Sequence, residues 1–426
     1  MVRAAARGAG ASSRLTSGLN GSSRGHTIDR VGLFGRVDVD LSRLPSRFPF
    51  VLITPQYETE RLLAERARNA GAQIIEGMEV TGLHPTNGGA HLQAGGASGE
   101  VRTFAPSFVV GADGVHSTVR DVMSIPFPGR SVMRSVMLAD VRLAEPPPDI
   151  LTVNATRAGF AFIAPFGDGW FRVIAWNRHR QVPDSESADL DEIRHITRQA
   201  LGSDFGMHDA RWMSRFHNDE RQVPHYRSGP VFLAGDAANV HSPAGGQGMN
   251  TGLQDAANLS WKLAAVARHG AHLSLLDTYH DERYPVGRFV VRMSHNLLRL
   301  TLVKSDPVRQ ALSAVAGPVT GIGPVTSYVA RAISGIGIGY RGGPGAHPLA
   351  GRRAPDTPLA GEGATRLYEL LREGKFVLLT HVRIAMQMLR SQGPSTDTMA
   401  SGGRHCRGRT TGWRSRFRLP RRPASR

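Results

Sequence analysis

"GPVFLAGDAANVHSPAGGQGMNTGLQDAANLSWKLA", residues 229–264, decides the fold. It runs from an apolar strand through an aspartate into a glycine-rich turn and out along a helix. Open α/β sheets bind ligands at the carboxyl ends of their strands, and Asp236 stands at such an end. A carboxylate there accepts hydrogen bonds from the hydroxyls of a sugar or polyol. Further on, Gly245, Gly246 and Gly248 leave the backbone bare and permit close approach of a ligand. A helix is predicted from about Gly248 to Ala267. Met249, Leu253, Ala256, Ala257, Leu263 and Ala264 recur at helical spacing and are expected to face inward. Its first amides and the positive end of its dipole favour negative charge. The stretch therefore suits a ligand with hydroxyls at one end and an electron-rich ring at the other. A reduced flavin meets both demands. A phosphate would also suit a helix start, but the Walker pattern needs Gly-Lys-Ser/Thr and no lysine precedes Lys262. A lone Gly-Gly-x-Gly would read as a packing turn. The aspartate-to-helix arrangement across the whole stretch argues for a ligand.

A second stretch, "VVGADGVHSTVR" at 109–120, again puts an acid, Asp113, at a strand end beside a glycine, Gly114. Taken alone it reads equally well as an aspartate in a strand-to-helix turn, with Ser117 capping the helix. Upstream, "TPQYETERLLAERARNAGA" predicts a helix capped by Thr54, with Pro55 in its first turn and Gly71 at its end. "QIIEGMEVTGLHP" at 73–85 predicts a strand and turn. From about residue 130 to 215 the pattern turns β-rich, with Gly-Asp-Gly at 167–169 as a hairpin signal and "DEIRHITRQALG" as one helix. Helices are predicted over 270–335, and "GRRAPDTPL" reads as a linker.

The expected organisation is an α/β protein: an FAD-binding, glutathione-reductase-like domain with an inserted α+β substrate domain, truncated at both ends. The boundaries are 1–36, a disordered basic segment; 37–125 and 215–290, the two parts of the FAD-binding domain; 126–214, the β-rich insert; 291–345, helical; 346–379, a remnant of a thioredoxin-like domain; and 380–426, a disordered arginine-rich tail.

The chain has 426 residues and a formal charge of +17. Residues 1–36 carry +5 and residues 380–426 carry +10, leaving +2 for the segment between them. The basicity is terminal, without an accompanying aromatic stacking pattern, so a nucleic-acid partner is not expected. One cysteine excludes an internal disulfide and a cysteine-rich metal site. No apolar run suits a membrane span and no secretory signal is present. A cytoplasmic location is expected.

"GADGVHSTVR" and "GDAANVHSPAGGQGMNTGLQDAANLSWKLA" together resemble the FAD-dependent aromatic hydroxylases, the single-component class A flavoprotein monooxygenases, and within them the actinobacterial polyketide and rifampicin branch. "PQYETERLL", "SDFGMHDARWMSRF", "DTYHDERYPVG" and "GRRAPD" agree with it, and the resemblance covers roughly residues 48 to 379. It implies FAD and NAD(P)H as cofactors and transfer of one oxygen atom from O2 to an electron-rich small aromatic substrate, polyketide or phenolic. It also implies site residues. Asp236 would bind the ribityl region. Pro243, Gly245, Gly246, Gly248, Met249 and Asn250 would line the isoalloxazine. Asp113 and Gly114, with Arg120 nearby, match the motif linked to FAD and NAD(P)H use. Gln56 and Arg24 match flavin-contacting positions, and Val80 matches a backbone contact to adenine. Phe160, Phe162, Phe166, Trp170 and Phe171 in the β-rich insert are candidate pocket walls. His225 and His241 read as structural or surface histidines, with proton relays as the alternative; no catalytic base is named, and no metal site is expected.

The family opens with a strand, Gly-x-Gly-x-x-Gly and a helix. Here "RGAGASS" has no strand before it and no amphipathic helix after it, so the expectation is a truncated unit and weakened FAD affinity. The alternatives are an inactive flavoprotein remnant, a ligand-binding module, a halogenase or flavin reductase on the same fold, and a basic nucleic-acid binder.

Overall fold

In the computed structural model the described residues are 26–33, 37–242, 246–301, 323–359, 366–371, 377 and 379. The expectations for residues 1–25 and 380–426, and for Arg24, Pro243 and Gly245, lie outside them. The chain divides into two units, residues 1–354 and 355–426.

In the first unit β1 (His26–Ile28), β2 (Arg30–Leu33), β3 (Val37–Asp40) and β4 (Val51–Ile53) form two antiparallel pairs, β1 with β4 and β2 with β3. α1 (Gln56–Asn69) follows directly. Its N-cap is Pro55 rather than Thr54, because Pro55 is still extended at ψ 142° and the helix begins one residue later than the sequence suggests. β5 (Met78–Thr86), β6 (Gly89–Gly96) and β7 (Val101–Phe104) form an antiparallel sheet. The strand predicted from Gln73 starts only at Met78. Ile74 and Ile75 are exposed, so their apolar character finds no face to pack against.

β8 (Val109–Gly111) leads to α2 (Thr118–Val122), whose cap is Ser117: its Oγ accepts the Arg120 amide at 3.0 Å. Then come β9 (Gly129–Leu143), β10 (Thr152–Ala155), β11 (Gly159–Pro165), β12 (Phe171–Asn177), α3 (Leu190–Leu201), β13 (Met207–Gln222), β14 (Arg227–Ser228), β15 (Val231–Leu233), a 3-10 turn (Gly235–Ala237) and β16 (Asn239–Val240). The six-stranded sheet has the order β10-β11-β12-β9-β13-β16. Side chains alternate across it, as the period of two demands. One face sets Met137, Ala139, Val141, Ile163 and Val173 against Ile193 and Ile196 of α3. On the other, Met133, Val136 and Trp176 cluster with Phe160, Ile174 and Phe216. The hairpin β11–β12 turns at Gly167–Gly169, both glycines having positive φ.

β15 pairs in parallel with β8, Val231 opposite Val109 and Leu233 opposite Gly111. Phe232, Leu233 and Val109 join Tyr226, Leu259, Leu276 and Tyr279 in the largest core cluster. Gly111 has to be glycine: a Cβ there would lie 2.8 Å from Val119 and 2.9 Å from Leu233. Gly111→Ala should cost about 1–3 kcal/mol through overpacking, read as a lower urea midpoint; an unchanged midpoint would contradict that account of the crossing.

Among the described residues of the first unit, three helices follow: α4 (Gly248–His269), α5 (Thr278–Thr301) and α6 (Gly323–Ser334). α4 corrects the sequence reading. Its buried residues are Asn250, Thr251, Gln254, Asp255, Asn258, Leu259 and Lys262, whereas Ala256 and Ala264 are exposed. The inward stripe is polar because its groups pair with α5 and with the turn after β15. In the second unit, a bridge joins Pro358 and Arg366, α7 is Leu367–Leu370, and Asp356 accepts from the Arg366 side chain at 2.9 Å and from the Tyr368 amide at 3.0 Å.

Candidate functional site

The parallel pairing brings the two acidic motifs to one edge. Asp113 lies two residues beyond the end of β8 and Asp236 three beyond the end of β15. The strand ends are stitched together where the Ala234 amide donates to the Gly111 carbonyl at 2.9 Å. Arg120 fastens the two turns. Its guanidinium is buried, donates to the Val115 carbonyl at 2.9 Å and to the Ala237 carbonyl at 3.4 Å, and lies 4.1 Å from the centre of the Phe127 ring.

The two aspartates differ in their freedom. Asp113 is occupied: its Oδ2 accepts the Val119 amide at 3.0 Å, satisfying an orphan donor at the start of α2. Gly114 beside it has φ +80° and open space where a side chain would stand. Asp236 is exposed, and no hydrogen bond from another described residue reaches its carboxylate. The surrounding protein mass still raises its pKa, and His241 pulls the other way.

The turn that carries Asp236 is held from below. Gly235 has φ +62°, and a Cβ on Gly252 of α4 would lie 3.3 Å from the Gly235 Cα, so turn and helix touch backbone to backbone. Asp255, one turn along α4, accepts the Gly235 amide at 3.1 Å. It also pairs with Arg283 of α5 at 2.6 Å, both side chains being essentially inaccessible. Burial opposes the Arg283 charge, but Asp255 and Tyr340 more than restore it, so its pKa is raised. Further along, buried Lys262 meets Glu282 at 2.8 Å, and Asn258 donates to Glu282 at 2.6 Å and to the Tyr340 hydroxyl at 3.2 Å. The sequence reading assigned no role to Asp255, Asn258, Lys262, Glu282 or Arg283. The available signal was polar residues recurring at steps of three and four along α4, opposite the charges of "DTYHDERYPVG".

β16 leads to His241, which is 9% exposed. Its Nδ1 donates to the Ser242 carbonyl at 2.9 Å, which leaves Nε2 as the acceptor, and Nε2 is buried without a partner. Burial lowers the pKa of this ring and keeps it neutral. An orphaned acceptor of this kind needs a donor from a ligand or water. Gly246, at φ +60°, leads into the start of α4, and Gly248 has open space where a Cβ would stand. Gln247 is drawn away: its Nε2 donates to the Ile333 carbonyl at 2.6 Å. Asn250 is buried and its Nδ2 donates to the Gly246 carbonyl at 3.4 Å, while Met249 is half-buried. The amides of Gly248, Met249 and Asn250 belong to the first turn, which has no intrahelical acceptors for them.

The edge thus offers a free carboxylate, a buried lone-pair acceptor and open helix amides. A group with donating hydroxyls and an anionic or acceptor-rich ring edge satisfies all three, so these residues fit a flavin dinucleotide. Gln56, at the start of α1, is exposed and donates to Glu60 at 2.6 Å. Val80 is half-buried on β5 at a register shift. His225 is exposed. The five aromatics of the insert separate: Phe160 packs with Trp176 on the face away from α3, Phe162 is half-buried on β11 opposite Ile174 of β12, Phe171 packs on the α3 side, and Phe166 and Trp170 lie under the guanidinium of Arg211 at 5.1 and 4.5 Å.

Because Asp236 titrates above the ordinary carboxyl range, its folded form holds a proton more tightly than its unfolded form. Stability of the ligand-free protein should rise as pH falls through that raised value, and Asp236→Asn should raise the Tm of the FAD-free chain at pH 7. A lowered Tm would show that the carboxylate has a structural partner.

Comparison with known proteins places this architecture. The family described as "FAD binding domain" matches residues 4–294. A Bacillus subtilis protein named as an uncharacterized aromatic compound monooxygenase is 38% identical over 367 residues, covering 84% of this chain and 72% of the relative. The rifampicin monooxygenase of Streptomyces venezuelae is 37% identical over 361 residues, 84% of this chain and 74% of that one. Among solved structures, CabE, an aromatic hydroxylase from angucycline biosynthesis, superposes with a TM-score of 0.73 at 36% identity, covering 83% of this chain and 72% of that one.

Proposed function

This chain belongs to the FAD-dependent aromatic hydroxylases of the FAD-binding-domain family, and on that premise we propose how its own residues serve the reaction. The chain is an FAD-dependent monooxygenase that uses NAD(P)H and O2 to hydroxylate a small aromatic molecule. FAD, when bound, supplies the redox chemistry and the activation of oxygen; the protein supplies binding, orientation and exclusion of water.

Asp236 receives the hydroxyls of the ribityl chain, and Asp113 with Gly114 shapes the neighbouring turn. The backbone at Gly246, Gly248, Met249 and Asn250 takes the polar edge of the ring, where the start of α4 stabilises negative charge. Pro243 and Gly245 belong to the same segment of sequence. Gln56, Val80 and Arg24 are secondary contacts on the strength of the resemblance. The aromatic face of the six-stranded sheet, with Phe160 among its residues, covers the substrate. The substrate class is an electron-rich phenol or polyketide, the substrate types of the relatives, and the location is cytoplasmic. The observation that carries this reading is the Asp236 carboxylate at the end of β15, which no other described residue hydrogen-bonds, beside the open first turn of α4.

The test is NADPH oxidation by the FAD-loaded chain with a panel of phenols and aromatic polyketides, coupled to mass spectrometry. A mass gain of one oxygen atom in a panel member is expected. NADPH oxidation that yields hydrogen peroxide alone across the panel would refute hydroxylation.

A further inference from the structure

Glu220 of β13 is 6% exposed, yet it carries a carboxyl group with no role so far. Its partner is His295 of α5. The His295 Nδ1 lies 2.9 Å from Glu220 Oε2 and 3.3 Å from Oε1. Arg130 of β9 places its Nη2 3.1 Å from Nε2 and 3.4 Å from Nδ1 of the same ring. A carboxylate oxygen only accepts, so the Nδ1 facing Glu220 is the donor of that pair, and Nε2 is the ring atom left to face Arg130. The result is a carboxylate held by a histidine that an arginine braces. Arg130 is exposed and His295 half-buried, so the chain of groups runs from solvent inward.

Two features place the inner end. Leu298, one turn along α5 from His295, is buried with Met133, Val136 and Trp176 in the aromatic face of the sheet. In the other direction, Arg221 pairs with Val240, so in continued register Glu220 stands level with His241, just before the glycine-rich turn. Glu220 therefore lies on the seam between the sheet face assigned to the substrate and the crevice assigned to the flavin.

We propose that Glu220 is the proton acceptor for the hydroxyl of a phenolic substrate, with His295 and Arg130 as the residues that position it. The inference rests on the hydroxylase reading of the site. In the step, the phenolic O–H bond breaks, its electron pair stays on the ring oxygen, and an O–H bond forms on the Glu220 carboxylate. The resulting phenolate is the more electron-rich ring and the better acceptor of an electrophilic oxygen. The proton leaves Glu220 for water when product departs. Burial raises the Glu220 pKa, while His295 and Arg130 oppose that rise, so the carboxylate titrates nearer to a phenol than an exposed one does. The neighbouring charges are otherwise engaged: Asp219 is bound by Arg221 at 2.6 Å and by Ser131 at 2.8 Å, and His241 is kept neutral by burial.

The experiment uses the full chain reconstituted with FAD and 4-nitrophenol as the probe. Infrared difference spectra on adding the probe should show a protonated carboxyl band, together with the visible absorbance of the bound phenolate. Both should be lost in Glu220→Gln, a near-isosteric change whose fold is checked by circular dichroism; Glu220→Asp, which keeps the carboxylate, should restore part of the band and serves if the first variant does not fold. In turnover of a panel phenol, Glu220→Gln should lower kcat by about 100-fold or more and remove the acid limb of its pH profile, with KM little changed. His295→Gln removes the donor that favours the carboxylate, so it should move that limb to higher pH; a merely structural histidine would leave it in place. Failure of the probe to bind, a carboxyl band that persists in Glu220→Gln, or an unshifted limb in both variants overturns the proposal. Native-like hydroxylation by Glu220→Gln would overturn the role of Glu220 alone. A carboxyl band without oxygen transfer to any panel member would sustain the proton acceptor and refute the hydroxylase reading.

Discussion

Asp236→Ala is expected to weaken FAD binding by about 100-fold, from the loss of one or two charge-assisted hydrogen bonds at about 1.5–3 kcal/mol each. The magnitude follows from the geometry. The carboxylate ends a buried strand, has no hydrogen-bonding partner among the described residues, and sits beside the neutral, buried His241. The exposed carboxylate is therefore left for a ligand's donors, and no hydrogen bond to another described residue has to break when they arrive. The same substitution should leave the fold intact, since the turn is held by the Asp255 bond to the Gly235 amide rather than by the Asp236 side chain. Fluorescence titration of flavin into native and Asp236→Ala chains measures it. Equal affinities would mean that the ribityl hydroxyls bind elsewhere.

Asp255→Ala should have the largest effect on stability, about 3–5 kcal/mol. Asp255 and Arg283 are buried and meet at 2.6 Å, and no other carboxylate in the described structure contacts Arg283. Removing the acid leaves a guanidinium in the core, with the Thr251 carbonyl at 3.3 Å from Nη2 and the Tyr340 side chain as its remaining, weaker partners. It also frees the Gly235 amide, so the turn that presents Asp236 loses its anchor on α4. Urea unfolding followed by circular dichroism gives the loss directly, and the residual folded fraction should bind FAD poorly as well. A shift under 1 kcal/mol would show that the pair is a passenger in the core, contrary to the account given of a buried charge left without its partner.

These two residues mark how far the sequence could be read. Asp236 was legible because its chemistry is local: an apolar strand, an acid and a bare turn follow one another within a few residues, and the strand-end rule for open α/β sheets supplies the meaning. The β11–β12 hairpin was legible for the same reason, through Gly-Asp-Gly between alternating apolar runs. Asp255 was not, because its importance comes from Arg283, which lies beyond the end of α4, and from Gly235 on the turn before it. Periodicity counts apolar residues, so it assigned the inner face of α4 to Met249, Leu253, Ala256, Ala257, Leu263 and Ala264, of which Leu263 does pack against the core. The helix instead buries its polar stripe, because two facing helices satisfy each other's charges. Parallel pairing of β8 with β15 was equally invisible: nothing within either stretch says that residues 109–111 and 231–233 lie side by side. The resemblance bridged part of that gap by joining the two motifs in one site. It assigned no role to Arg120 as the clamp between their turns, nor to Glu220 and His295 on the seam.

The most direct test of the central claim is a crystal structure of the chain grown with FAD. The account predicts the ribityl hydroxyls at Asp236, a donor at the Nε2 of His241, and the ring edge over the amides of Gly248, Met249 and Asn250. A structure in which side chains fill that crevice and FAD lies elsewhere, or is absent at saturating concentration, would contradict it.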